Sequence, residues 1–196
     1  MTIVMTERVN DFFGDAVGSA LSAQRVDASC EAKAYLVGVL VDFAQRGQTA
    51  PSLEAPLTFL LRDAMLAPAL DRLEKLKDVG DGTLYVSGFF PDHLDAKGVD
   101  AAYVARMGAT AYGAAASLLQ SGDGPGLNLF GELSAKFEHF VRVLQEIADA
   151  FFARAAQDPR GIVKVYERWQ KTGSARLGQE LFARGLVPMK PSGGLQ

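Results

Sequence analysis

Few residues in this chain combine a reactive side chain with a spacing that reactions need. There are two histidines, His93 and His139, and one cysteine, Cys30. Transition-metal sites draw on several convergent donors, histidine foremost. Neither histidine lies in a His-Glu-x-x-His or Glu-x-x-His pattern. The densest donor group, Asp92, His93, Asp95 and Asp100, reads as turn chemistry followed by the cap of a helix beginning near Val99. Cys30 falls near the start of an expected helix, where the dipole lowers a thiol pKa. A catalytic thiol also needs a base held beside it, and the sequence brings neither histidine there. Ser87, in Val86-Ser87-Gly88, is not a nucleophile elbow because position 85 is Tyr. No spacing singles out a catalytic carboxylate pair. Gly80-Asp81-Gly82 and Gly122-Asp123-Gly124-Pro125-Gly126 lack the lysine and the preceding strand of a phosphate loop and read as helix-ending turns. The expectation is no catalytic residue, no metal and no cofactor.

Two other groups invite binding rather than catalysis. Tyr85, Phe89, Phe90, Tyr103, Met107 and Tyr112 concentrate aromatic and soft side chains near the middle of the chain. Buried tyrosine hydroxyls need partners. Tyr85, Phe89, Asp100, Tyr103, Met107 and Tyr112 are therefore candidate ligand-binding residues, with an ordinary aromatic core as the plainer alternative. Towards the end, Gly161 to Gly185 has the outline of two helices around a tight turn, as in a helix-turn-helix. Its Arg168, Lys171, Arg176 and Arg184 are candidates for binding an anion or a partner. With so few basic residues on the second helix, nucleic-acid readout is the weaker reading.

The elements that must position these residues are helical. Apolar residues recur mostly at intervals of three and four. The spacing predicts helices from after Thr6 to about Arg25, Ser29 to Gln45, Ser52 to before Pro68, Ala69 to about Val79, Val99 to Gln120, Phe130 to Ala156, Gly161 to Lys171 and Ser174 to Arg184. Gly80-Asp81-Gly82 interrupts the pattern. Thr83 to Phe90 has local strand character but no partner strand, and is read as a buried helix resuming after a bend and ended by Pro91. Asp92 to Gly98 is expected to be a polar turn. Gly14 and Gly18 make a small-residue strip, and Gly88 and Gly108 offer places for helices to approach closely. The fold class is all-α: one helical domain of about seven helices over residues 1–187, with a flexible tail over 188–196.

Composition agrees. With 196 residues, 48% hydrophobic and 22% charged, the chain can bury a core without staples. One cysteine excludes an internal disulfide, and the longest apolar run, Tyr35 to Val41, is too short to span a bilayer. Residues 1–150 hold 12 basic against 20 acidic residues, whereas residues 151–196 hold 8 against 3. That split suggests a basic C-terminal segment docking on an acidic body. Met1 to Phe13 lacks the long apolar stretch of a secretory signal, and the lone thiol points to the cytoplasm.

Leu84-Tyr85-Val86-Ser87-Gly88-Phe89-Phe90-Pro91, with Tyr166-Glu167-Arg168-Trp169 and Thr172-Gly173-Ser174 followed by Arg176-Leu177, resembles a family of bacterial, mostly proteobacterial, helical proteins without an assigned activity. The resemblance implies a bacterial, cytoplasmic helical protein and transfers no functional residue. The function expected is non-enzymatic, through protein contacts or self-association, the partner being a second copy in a homodimer or another protein. A small-molecule-binding module or an enzyme using the central Tyr/Phe/Asp region, or a DNA-binding regulator at the basic helix pair, are the alternatives. No membrane association is expected.

Overall fold

A computed structural model of the chain describes residues 2–45, 56–120, 127–156 and 158–189. Among these residues there are ten α-helices and no strand, where about seven helices are expected. They are α1 (Thr2–Gln24), α2 (Cys30–Gln45), α3 (Leu57–Leu66), α4 (Ala69–Phe89), α5 (Pro91–Ala96), α6 (Ala101–Gln120), α7 (Leu127–Ala135), α8 (Phe137–Ala155), α9 (Pro159–Thr172) and α10 (Ala175–Ala183). The residues group into two compact units, Met1–Gln145 and Glu146–Gln196.

In the first unit α4 packs on α6, α6 on α7, α1 on α2 and α3 on α4. The apolar stripes account for these contacts. Phe13, Val17, Ala20 and Leu21 are buried on α1; Ala32, Leu36, Val39 and Leu40 on α2; and Phe137, Phe140, Val143 and Leu144 on α8. Each set repeats at three- and four-residue steps, which places it on one side of its helix.

Several boundaries differ from the expectation. Helix α1 already begins at Thr2, so Thr6 is not its start. Pro56 is the residue preceding α3, not part of its first turns, and the loop over 46–51 with the Ser52 cap lies outside the described residues. Pro68 separates α3 from α4 as expected. Helix α4 then runs through Gly80-Asp81-Gly82 without a break and includes the strand-like residues up to Phe89. The apparent turn is a run of helical residues against which another helix packs. Asp92 to Gly98 is largely the short helix α5, closed by Gly98 at φ +64°. The long helix expected over Phe130 to Ala156 is two. Lys136 alone lies outside both, although its N–H donates to Glu132 and its carbonyl accepts from Phe140 in the helical pattern. Nothing lies within 4 Å of a Cβ built on Gly14, and one on Gly18 meets only the end of the Lys33 side chain, so this strip is no close helix contact. Gly88 is one: its Cβ would fall 2.4 Å from Leu144 Cβ.

The second unit comprises residues from Glu146 in α8 onward, with α9 and α10. Asp158 caps α9 by accepting from Gly161 N–H, and Pro159 opens it. Gly173, at φ 64°, closes it, and Ser174 caps α10. Ala153, Ala156, Val165, Trp169, Leu177 and Leu181 form the core between them.

Candidate functional site

The strongest concentration of polar chemistry inside the first unit is on α4, in the segment that looked like a turn. Gly80 carries no side chain, and a Cβ there would lie 2.5 Å from the Tyr112 ring. The missing methyl lets the Tyr112 ring lie against the α4 backbone. From that position the Tyr112 hydroxyl donates to Asp81 Oδ1 at 2.7 Å. Tyr35, from α2, donates to the same oxygen at 2.6 Å. One carboxylate thus ties together α2, α4 and α6.

The surroundings are aromatic. The Tyr35 ring meets Tyr112 and Phe130 edge-on, with centroids at 6.2 and 5.7 Å, and Tyr112 lies 5.9 Å from Phe137. Lys77 Nζ stands 5.8 Å from the centre of the Tyr35 ring. Burial pushes the Asp81 carboxyl above its usual range. The two phenol hydrogen bonds and the Lys77 charge pull the other way without cancelling it. Burial, then the Asp81 charge, holds both tyrosines well above the ordinary phenol value, so they stay protonated donors. Chemically this is a carboxyl able to hold a proton within a fixed pair of donors. Among the described residues no three His, Cys, Asp or Glu side chains converge to hold a metal.

The candidate ligand residues separate. Tyr85 stacks between Phe43 and Phe89, with centroids at 4.1 and 4.9 Å. Tyr103 and Met107 pack on the cluster of Leu57, Val86, Leu94 and Val104. The Tyr103 hydroxyl makes no hydrogen bond among the described residues. Asp100 is exposed and accepts from Ala102 N–H at 2.8 Å, a helix-capping role. Only Tyr112 joins the Asp81 centre. Asp81 and Tyr35 were not singled out in the sequence. The available signal was Gly-Asp-Gly inside an otherwise helical stretch, with tyrosines on two other helices.

Cys30 is exposed at the first residue of α2, and His139 is exposed on α8. The side chains of His93 and Asp95 lie outside the described residues. A second polar junction caps α2. Ser29 Oγ accepts from Ala32 N–H, while Ser29 N–H donates to Glu132 Oε1 at 3.1 Å. Lys136 Nζ donates both to that oxygen and to the Asp27 carbonyl. Burial alone would raise the Glu132 carboxyl, but the bonds from Ser29 and Lys136 hold it below the usual range. A depressed carboxyl stabilises the fold above its unfolded pKa and loses that contribution as the pH falls. We expect Glu132→Gln to cost about 1 kcal/mol at pH 7. The difference from the parent chain should begin to shrink as the pH falls past the ordinary glutamate value of about 4.3 and vanish only below the lowered folded one, as read by urea unfolding at a series of pH values.

In the second unit the candidate arginines have internal partners. Arg168 Nε donates to Asp149 Oδ1 at 2.7 Å with both side chains nearly buried, and its guanidinium lies over the Phe152 ring. Arg176 pairs with Glu146 at 3.2 Å. Arg184 pairs with Glu180 and donates to the carbonyls of Ala153 and Ala156, completing the C-terminal end of α8. Lys171 is exposed at the end of α9. The two carboxylates that meet Arg168 and Arg176 lie just before the basic segment, at 149 and 146.

Comparison with protein-family models, curated proteins and solved structures returns no match for this chain. Among the described residues, no helix is long and apolar enough to cross a membrane.

Proposed function

We propose that this protein works by protein contact, first of all with a second copy of itself, and not by catalysis. One observation carries the reading. Along α3 and across its elbow with α4, Phe59, Met65, Leu66 and Leu70 are exposed by 51, 39, 75 and 95%. Large apolar side chains exposed in such number over one short helix and the turn after it mark a surface that gains by being covered. Each fully covered leucine is worth about 1.5–3 kcal/mol. Charges of both signs surround the patch, beginning with the exposed Arg62–Asp63 pair and continuing through Asp71, Glu74 and Lys75. A patch carrying both signs can meet its own copy across a two-fold axis. The groups best suited to chemistry also have structural work: Asp81 holds three helices and Asp100 caps α6. The single thiol, on an exposed cysteine, fits the reducing cytoplasm.

Light scattering during size exclusion tests this directly. The parent chain should elute at twice its 21.0 kDa mass. Leu66→Glu with Leu70→Glu should elute at the single-chain mass with unchanged circular dichroism. A parent chain that stays monomeric at high concentration, or a double variant that still dimerises, refutes the proposal.

A further inference from the structure

The second unit carries a different surface. On α9, Arg160 and Lys164 are one turn apart and exposed, and neither has an ion pair or hydrogen bond among the described residues. This sets them apart from Arg168, Arg176 and Arg184, whose carboxylates and carbonyls lie within the unit. Continuing along the same exposed side are Glu167 and Lys171. The charge order along the helix is therefore plus, plus, minus, plus.

An apolar strip borders this ridge. Val163 is 56% exposed beside Arg160 and Lys164. One turn on, the Tyr166 hydroxyl donates to the Met189 carbonyl at 3.2 Å, which brings the segment after α10 alongside α9. Met189 and Val187 are exposed by 70 and 68%, and Phe182 on α10 by 70%. Leu186 N–H donates to the Leu181 carbonyl and turns the chain back over the end of α10.

We infer that this face of the second unit binds an acidic amphipathic helix of another protein. Apolar anchors on such a helix would cover Val163 and Met189, and its carboxylates, one turn apart, would meet Arg160 and Lys164. Glu167 decides between a helix and an anionic lipid surface. A lipid headgroup layer gains only about 1 kcal/mol per nearby basic residue and repels the carboxylate in the middle of the ridge. A helix can place a base opposite Glu167 and acids on either side. The surface is distinct from the α3–α4 elbow, so the inference does not rest on self-association.

The test uses the full chain and a fluorescein-labelled, helix-stapled peptide of leucine and glutamate heptads. The controls are the same peptide with lysine for glutamate, and vesicles of phosphatidylserine and phosphatidylcholine. The acidic peptide should bind with a micromolar Kd, at least tenfold tighter than the basic one. Arg160→Glu with Lys164→Glu should weaken it at least tenfold, and Met189→Ser with Val163→Ser likewise. Glu167→Lys should tighten binding of the all-acidic peptide. These side chains are exposed, so circular dichroism should not change. The Leu66→Glu, Leu70→Glu variant should bind the peptide as the parent does, even if the elbow reading fails. Equal binding of both peptides, no binding, indifference to the α9 charges, or vesicle binding in place of peptide binding would each overturn the inference.

Discussion

Asp81→Ala lowers stability by about 3 kcal/mol, whereas Asp81→Asn leaves the fold at least as stable as the parent at pH 8. Alanine removes the acceptor from two phenols. Tyr112 is fully buried and Tyr35 largely so, and a buried donor left without a partner costs about 1–3 kcal/mol. Asparagine keeps an oxygen where both hydroxyls point, at 2.6 and 2.7 Å in the parent. It also removes the expense of burying a charge. The pH dependence separates these two effects. Burial holds the Asp81 carboxyl above its usual range in the folded chain. Below about pH 4 the carboxyl is protonated folded or unfolded, and the charge adds nothing. As the pH rises, the unfolded chain releases its proton first, so the parent loses stability until the folded carboxyl also ionises. The advantage of Asp81→Asn should therefore be smallest at pH 4 and widen towards pH 8. Urea unfolding of the three proteins at both ends of that range decides it. A constant gap, or an asparagine variant as unstable as the alanine one, would mean that Asp81 is not a buried acceptor of this kind.

The same centre marks how far the sequence reaches. The all-α class was legible because side chains at three- and four-residue steps have only one way to share a core. Phe137, Phe140, Leu144 and Ile147 on α8 are buried, as their spacing requires. Periodicity names a face but not the face it meets. Tyr35 and Tyr112 reach Asp81 across 46 and 31 residues, and nothing local to either tyrosine reports that separation. Gly80-Asp81-Gly82 pointed the wrong way, because glycine is read as a breaker from its propensity, while here the lack of a Cβ admits a ring. The six candidate ligand residues divide for the same reason: nearness along the chain put Tyr85, Asp100, Tyr103 and Tyr112 together, but in the fold Tyr85 stays with Phe89, Tyr103 and Met107 share another cluster, and Tyr112 joins Asp81. The change of unit at Glu146 lies within α8, where the apolar pattern does not pause. By contrast, the Thr172-Gly173 break between α9 and α10 was readable from local turn chemistry, whereas Asp158-Pro159 reads only as a stop and is in fact the cap and first residue of α9, two residues ahead of the expected start at Gly161.

If close approach to α4 and α8 is what places Tyr112, then the glycines that permit it should be the least tolerant positions in the first unit. Gly108, on α6, is the sharpest case. A Cβ there would lie 2.3 Å from Phe137 Cζ and 2.4 Å from Thr83 Oγ1. Neither neighbour can withdraw easily. Phe137 is buried, with its ring 5.9 Å from that of Tyr112, and Thr83 Oγ1 is held by the carbonyls of Val79 and Gly80 at 2.7 and 2.9 Å. Alanine gains about 1 kcal/mol over glycine from helix propensity, but overpacking a rigid core costs about 1–3 kcal/mol and sometimes more. With backbone separation at stake, we expect the cost at the upper end of that range, so that Gly108→Ala lowers stability by a net of about 2 kcal/mol and Tm by roughly 6 °C. Gly38→Ala is the matched control. Gly38 lies within α2, and nothing stands within 4 Å of its Cβ position. There the propensity term acts alone, and the same substitution should raise Tm slightly. Thermal unfolding of the two variants beside the parent chain tests the packing claim by sign. If both substitutions move Tm in the same direction, α6 does not approach α4 and Phe137 as closely as these distances require.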